Sequence, residues 1–143
     1  MKNKRFLSKL KKENLIGLVE ASIELKDSYK EKSISNLQSS RLLLENDKIE
    51  EAVYLAYYSM YNIILSLLFR TGIKSENHTA SIIFLKEIYE LNNKDILFMK
   101  EERKEKQYFV GFKINKKEVE ELLKIVSNFN SYINDFIEKL NNE

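Results

Sequence analysis

Residues 48–70, KIEEAVYLAYYSMYNIILSLLFR, decide the fold of this 143-residue chain. Glu50 and Glu51 lie near the start of this stretch and Arg70 at its end, which is the charge distribution that stabilises an α-helix. Gly72 follows and can adopt the left-handed conformation that ends a helix. Apolar residues occupy almost the whole circumference between these ends, a pattern that predicts a helix buried on more than one side. We expect the rest of the bundle to cover one side and a second copy of the chain to cover the other.

The same stretch is the one segment that suggests a membrane span, because residues 53–69 carry no formal charge. A span needs roughly 20 apolar residues. This run is shorter and contains Asn62 and four tyrosines, Tyr54, Tyr57, Tyr58 and Tyr61. The basic N-terminus also lacks an apolar stretch long enough for a secretory signal. We therefore predict a buried helix in a cytoplasmic protein that does not enter a membrane.

The composition favours long helices joined by short turns. The chain has no proline and only three glycines, so few positions demand the sharp turns of a many-stranded sheet. It has no cysteine and one histidine, which excludes disulfides and thiolate metal sites and makes a structural zinc site untenable. The net charge of +2 is too small to indicate nucleic-acid binding without a local patch. We expect neither a metal nor a cofactor.

The other periodic segments predict an all-α antiparallel bundle of five to six helices. Further helical segments, some of which would join into one helix, are expected at residues 4–12, 15–27, 28–46, 78–91, 95–108 and 115–140, with a loop at 109–114. The second long helix would begin or restart at Ser28 or Ser33 and carry Arg41 on its apolar side, and Asn115 would cap the last helix. The chain is expected to form one domain, with residues 1–27 as a helical extension and 28–141 as the core.

The first predicted helix, residues 4–12, is short and basic. Its apolar residues Phe6, Leu7 and Leu10 have the spacing of one helix face and would dock onto the bundle. Two interpretations remain open: a solvated start of the fold, or an arm that contacts RNA.

Three features carry the candidate chemistry, and each has a structural alternative. The tyrosine cluster with Asn62 indicates either an aromatic core or a pocket wall that stacks a base. His78 is either a capping residue or the general acid–base, since it is the only side chain with an ordinary pKa near neutrality. Arg103, in the charged run of residues 100–106, either lies on a solvated helix face or holds a phosphate. Phosphate-binding glycine loops and serine-centred elbows are absent from the sequence.

Residues 50–62, EEAVYLAYYSMYN, resemble the core helix of HEPN domains, and in particular of the small stand-alone branch UPF0332. In that branch a Gly-Ile turn and a lone histidine follow the helix, as Gly72, Ile73 and His78 do here. Residues 103–108, RKEKQY, are similar to the branch's Arg-x-x-x-(Asp or Gln)-Tyr signature. The likeness extends over about residues 28–140.

The resemblance implies a homodimer encoded beside a minimal nucleotidyltransferase as a toxin–antitoxin pair, with this chain as the toxin. Many HEPN proteins are metal-independent ribonucleases with an Arg-x(4–6)-His motif in the dimer cleft. Here Arg70 and His78 are too far apart in sequence for that motif, so a catalytic pair would be His78 with Arg103. The residues expected to bind nucleotide or RNA are Tyr58, Asn62, Arg70 and Tyr108. The alternative is a non-catalytic helical module that binds a nucleotidyltransferase or a nucleotide, and Tyr108 has the further alternative of being a modification acceptor.

Overall fold

The computed structural model describes residues 2–108 and 115–142, and of residues 105–108 only the backbone. Within these ranges there are six helices and one two-stranded sheet, which confirms the predicted all-α bundle. The elements are α1 (Lys2–Lys12), β1 (Ile16–Leu18), α2 (Ile23–Glu45), α3 (Ile49–Thr71), β2 (Ile73–Ser75), α4 (His78–Glu87), α5 (Lys94–Tyr108) and α6 (Lys116–Asn141). The predicted loop at 109–114 lies outside the described residues.

Helix α3 is the core of the bundle, as its sequence predicted. It packs chiefly against α2 and also contacts α4, α5, α6 and β2. By length and composition α3 would be able to cross a membrane, but 72% of its most apolar stretch is buried inside the protein, as in the core helix of a soluble protein. Because elements of the same chain provide this burial, the apolar circumference of α3 does not by itself require a second copy. The homodimer stays a prediction.

Buried serines hold α2 and α3 in antiparallel register. The hydroxyl of Ser33 donates to the Ser59 carbonyl at 2.7 Å, and the hydroxyl of Ser59 donates to the Ser33 carbonyl at 2.7 Å. Toward the two ends of the pair, Ser66 donates to the Lys26 carbonyl and Ser40 to the Ala52 carbonyl, at 2.7 and 2.6 Å. On each helix these positions lie seven residues apart, the repeat that keeps one seam facing its partner. Small side chains at the seam let the two backbones approach.

The predicted helix at residues 15–27 is wrong for residues 15–22. Residues Ile16–Leu18 form a strand that pairs antiparallel with β2, with Ile16 opposite Ser75 and Leu18 opposite Ile73. Ile16 is buried whereas Leu18 is 89% exposed, so the expected helical stripe of Leu15, Leu18 and Val19 is not formed. The strand depends on hydrogen bonds to β2, which is distant in sequence, so the local pattern of residues 15–27 could not predict it.

Helix α2 begins earlier and is more continuous than the sequence indicated. Ser22 is its N-cap, accepting a hydrogen bond from the backbone N–H of Leu25 at 3.0 Å, and the helix runs to Glu45 without restarting at Ser28 or Ser33. The prediction that Arg41 lies on the apolar side is also wrong, because its side chain is exposed. Leu37 and Leu44 of the predicted apolar side are buried, but serines occupy the seam positions next to them, which an apolar-only pattern did not detect.

Helix α6 closes the bundle against α3. Its predicted cap is confirmed, since the Asn115 side chain accepts from the Glu118 backbone N–H at 2.8 Å. One stripe of the helix is buried, as its periodicity predicted, at Val119, Leu122, Leu123, Val126, Phe129, Ile133 and Ile137.

Candidate functional site

The start of α4 brings the only histidine of the chain against α3. Asn77 caps this helix by accepting from the Ala80 backbone N–H at 2.9 Å, and His78 is the first helical residue. The hydroxyl of Ser81, one turn further, donates to the Asn77 carbonyl and also contacts the Tyr61 hydroxyl at 3.1 Å. The turn that follows α3 is thereby fixed to the tyrosine-bearing face of the same helix.

The imidazole of His78 lies within a cluster of three tyrosine rings from α3. Its ring is stacked on that of Tyr61, with centroids 3.7 Å apart and an interplanar angle of 13°. Its Nδ1 is 3.1 Å from the hydroxyl of Tyr57, whose side chain is fully buried. The ring of Tyr58 is nearly perpendicular to the imidazole, at 6.1 Å and 85°. Stacking and the hydrogen bond together determine how the imidazole is oriented.

Arg103 of α5 reaches the same tyrosines from the other side. One of its terminal nitrogens donates to the Tyr58 hydroxyl at 3.1 Å, and the guanidinium carbon lies 4.7 Å from the centre of the Tyr57 ring. This is the geometry of a cation–π contact. The Nε of Arg103 is buried and has no hydrogen-bond partner in the described part of the chain. The structure therefore brings the two predicted catalytic residues, His78 and Arg103, into one cluster.

The electrostatic environment keeps His78 neutral. Burial lowers its pKa from the ordinary value, and the positive charges of Arg103 and Lys100 lower the pKa further. Lys100 donates to the hydroxyl of Thr79, the residue after His78, at 2.8 Å. Burial in turn raises the pKa of Tyr57 far above its usual range, so this phenol stays protonated and available as a hydrogen-bond partner. A neutral imidazole beside a fixed cation is a suitable arrangement for proton transfer near a negatively charged group.

An open pocket of about 390 Å³ adjoins the cluster in the groove between α2 and α3. Tyr58, Tyr61, Asn62 and His78 line its α3 and α4 sides, while α2 contributes Tyr29, Lys32 and Asn36. Tyr58 is 37% exposed, so part of an aromatic ring faces the solvent here. The amide of Asn62 donates to the side-chain oxygen of Asn36 at 2.7 Å, which ties the floor of the pocket to α2.

The predicted binding residue Arg70 is not part of this cluster. Arg70 lies at the end of α3, where its guanidinium donates to the Asn141 side chain at 2.8 Å and to the Leu140 carbonyl at 3.1 Å. It thus binds the last turn of α6, where a cation stabilises the exposed carbonyls. The side chain of Tyr108 lies outside the described residues. A binding role for either residue stays a prediction.

The described residues contain no group of three or more His, Asp or Glu side chains that would hold a metal ion. The donors around His78 are phenols, a guanidinium and an ammonium group, and these bind anions in preference to cations. The chemistry of the site therefore favours a phosphate or another anion as ligand.

The sequence profile of the HEPN domain matches residues 26–136, which is more than three quarters of the chain. The chain belongs to the HEPN domain family. None of the curated proteins compared with it matches. The match covers most of α2, all of α3, α4 and α5 and most of α6, and thus all residues of the His78 cluster. Helix α1 and the β1 strand of this HEPN protein precede the matched residues. Membership of the smaller UPF0332 branch stays a prediction.

Sequence reasoning missed several residues of the site. Tyr57 and Tyr61 were recognised only as members of an aromatic cluster, although their spacing of four places them on one helix face. Lys100 is one of several charged residues in the run 100–106, so nothing in the sequence distinguished it as a neighbour of His78. The α2 residues Lys32 and Asn36 become neighbours of α3 only through the seven-residue register of the helix pair, which the sequence does not display.

Proposed function

We propose that this HEPN protein acts on RNA as a metal-independent ribonuclease, with His78 moving protons and Arg103 stabilising phosphate charge. The observation that carries the proposal is that both side chains converge on Tyr57 and Tyr58 from different helices. The linear motif of the family is absent, and this convergence would supply by tertiary contact what the motif supplies by spacing.

The proposed reaction needs no group beyond those of the site. The 2′-hydroxyl of RNA would attack the adjacent phosphorus, losing its proton to the neutral imidazole of His78. The bond from phosphorus to the 5′-oxygen would break, and that oxygen would take up the proton from the His78 imidazolium, leaving a 2′,3′-cyclic phosphate and a 5′-hydroxyl and returning the imidazole to its neutral form. Arg103 would face the negative charge that builds on the phosphoryl oxygens. Tyr57 would act as a positioning residue: its hydroxyl oxygen would accept a hydrogen bond from Nδ1–H, which leaves Nε2 unprotonated and able to take up the proton.

The pocket between α2 and α3 is suited to a base next to the scissile phosphate. The partly exposed ring of Tyr58 offers a stacking surface, and Lys32 adds a positive charge at the rim. Stacking is tolerant of sequence, since every base has an aromatic face. We therefore expect cleavage of single-stranded regions with modest sequence preference.

The experiment is to incubate the purified protein with tRNA and total RNA in the presence of a chelator. Cleavage by the parent should survive chelation, and His78→Ala and Arg103→Ala should each abolish most of it. Arg41→Ala is the matched control, because Arg41 is an exposed arginine on α2. Equal cleavage by all variants would refute the assigned residues, and products without cyclic phosphate ends would refute the mechanism.

The proposal extends to the setting in which the protein works. Domains of the HEPN family often function as dimers, and we infer a homodimer that serves as the toxin of a toxin–antitoxin pair with a minimal nucleotidyltransferase. An adjacent reading frame for such a nucleotidyltransferase, and growth arrest relieved by its co-expression, would support the pairing. A monomer mass in sedimentation would contradict the dimer.

A non-catalytic role is the second candidate, and the state of Arg103 favours it. Its guanidinium is already engaged by the Tyr58 hydroxyl and the Tyr57 ring, which is how an arginine that stabilises a fold is bound. On this view the pocket binds a nucleotide or the nucleotidyltransferase partner without cleaving RNA. Binding of a nucleotide to the parent, lost on Tyr58→Ala, together with no cleavage of any RNA, would decide for this role.

A further inference from the structure

Helix α1 has a net positive charge, whereas the rest of the chain has a net negative charge. Its 11 residues, KNKRFLSKLKK, contain five lysines and one arginine and no acidic residue. The whole chain has a formal net charge of +2, and +6 of it belongs to α1, which leaves −4 for all other residues. All six cationic side chains are exposed, and none forms an ion pair in the described part of the chain.

The apolar face of α1 is already used by the domain. Leu10 is 6% exposed, and Phe6 and Leu7 pack against the core. Lys4, Arg5, Lys9 and Lys12 share the opposite, outer face with Ser8, where they surround a shallow surface depression. An amphipathic helix binds a membrane by inserting its apolar face. Because that face is buried in the protein, the outer face of α1 is suited to a hydrated polyanion and not to a bilayer.

A continuous surface leads from α1 to the candidate site. Asn3 in the first turn of α1 lines a cavity of about 250 Å³ together with Thr79, Lys86, Lys100 and one acidic residue, Glu87. Lys100 hydrogen-bonds Thr79, the neighbour of His78, and its charge acts on the imidazole. Two further cations therefore lie between the basic helix and the site.

We infer that the outer face of α1 is an RNA-binding surface that contacts backbone phosphates and directs the strand along Lys86 and Lys100 toward His78. The inference rests on the proposed function for the destination of the strand, whereas the binding itself requires only the charges of α1. At a rise of 1.5 Å per residue the helix is about 16 Å long, enough to contact several successive phosphates. Since α1 precedes the residues matched by the HEPN profile, this surface is an addition to the family domain.

The test measures binding of the full-length protein to a fluorescent single-stranded RNA made of 2′-O-methyl nucleotides, which cannot be cleaved by the proposed reaction. The variant Lys4→Gln, Arg5→Gln, Lys12→Gln removes three outer charges and spares the docking residues. We expect its affinity to fall about tenfold or more at low salt, and the slope of log K against log salt to decrease by about 2. The control Lys48→Gln, Lys94→Gln, Lys117→Gln changes the net charge equally on exposed lysines elsewhere and should bind like the parent.

The outcomes separate this inference from the ribonuclease proposal. His78→Ala should lose cleavage of ordinary RNA and keep the α1-dependent binding. The cleavage assay therefore tests the ribonuclease proposal, and the binding assay tests the α1 surface independently of it. Equal affinity and equal salt slope for the α1 variant and the parent would overturn the inference, as would α1-dependent binding to anionic phospholipid vesicles without binding to RNA. Photocrosslinking of the parent to 4-thiouridine RNA does not depend on the variant folding, and crosslinks that avoid residues 2–12 would also overturn it.

Discussion

Replacing Tyr57 with phenylalanine removes one hydroxyl from the site and keeps the buried ring. The lost contact is the 3.1 Å hydrogen bond to His78 Nδ1. A bond between neutral groups contributes about 1 kcal/mol, and His78 is partly exposed, so Nδ1 can regain a partner from water. We expect Tyr57→Phe to destabilise the fold by about 1–2 kcal/mol, which lowers the melting temperature of a domain of this size by about 3–7 °C. Loss of imidazole orientation should reduce kcat for RNA cleavage about 10- to 100-fold with little change in KM.

The matched control is Tyr89→Phe. The Tyr89 hydroxyl also has one side-chain partner, the hydroxyl of Thr71, and it lies away from the tyrosine–histidine cluster. This variant should lower the melting temperature by a similar amount and leave kcat unchanged. Thermal unfolding gives the stability of each variant, and cleavage under single-turnover conditions gives the rate. The positioning role of Tyr57 is refuted if both variants cleave RNA at the parent rate, or if both lose the same fraction of activity.

Three further predictions concern the charge of the site, the turn after α3 and the helix seam. Arg103→Gln should raise the pKa of His78 toward its ordinary value, because it removes a positive charge that lowers this pKa. The chain has only one histidine, so an NMR titration reports this pKa without ambiguity. Because the pKa of His78 is lower in the folded than in the unfolded chain, its contribution to the free energy of unfolding is fully present above the unfolded-state pKa and is lost as the pH falls through the folded-state pKa. Urea unfolding measured as a function of pH should show a smaller loss of stability in Arg103→Gln. Gly72→Ala should destabilise by about 2 kcal/mol or more, because φ is +81° and a Cβ would lie 2.6 Å from the Val19 carbonyl oxygen; unchanged urea unfolding would contradict this. Ser59→Ala should cost about 2–4 kcal/mol, because it removes the hydroxyl that donates to the Ser33 carbonyl and accepts from the Asn130 amide and leaves these partners unsatisfied; a loss below about 0.5 kcal/mol would show that the seam does not depend on the Ser59 hydroxyl.

Local sequence determined the helices whose caps, end charges and apolar periodicity lie within the helix or next to it. Helix α3 has acids in its first turn, a glycine in the left-handed conformation at its end and apolar residues between them, and its predicted extent agrees with the structure to within one residue. Helix α6 has a capping asparagine and one apolar stripe, and both predictions are confirmed. Caps and helical periodicity act over a few residues, so they can be recognised from sequence.

Tertiary structure alone decided the β1 strand and the composition of the candidate site. Residues Ile16–Leu18 are extended because β2 supplies their hydrogen bonds from more than fifty residues away. His78 meets Tyr57 across 21 residues of sequence, and Arg103 meets Tyr58 across 45. The residue types in residues 48–70 determined that α3 would be buried. The packing of α4 and α5 against it determined which of its tyrosines would hold the histidine and the arginine, because that choice depends on helix rotation and register between distant segments.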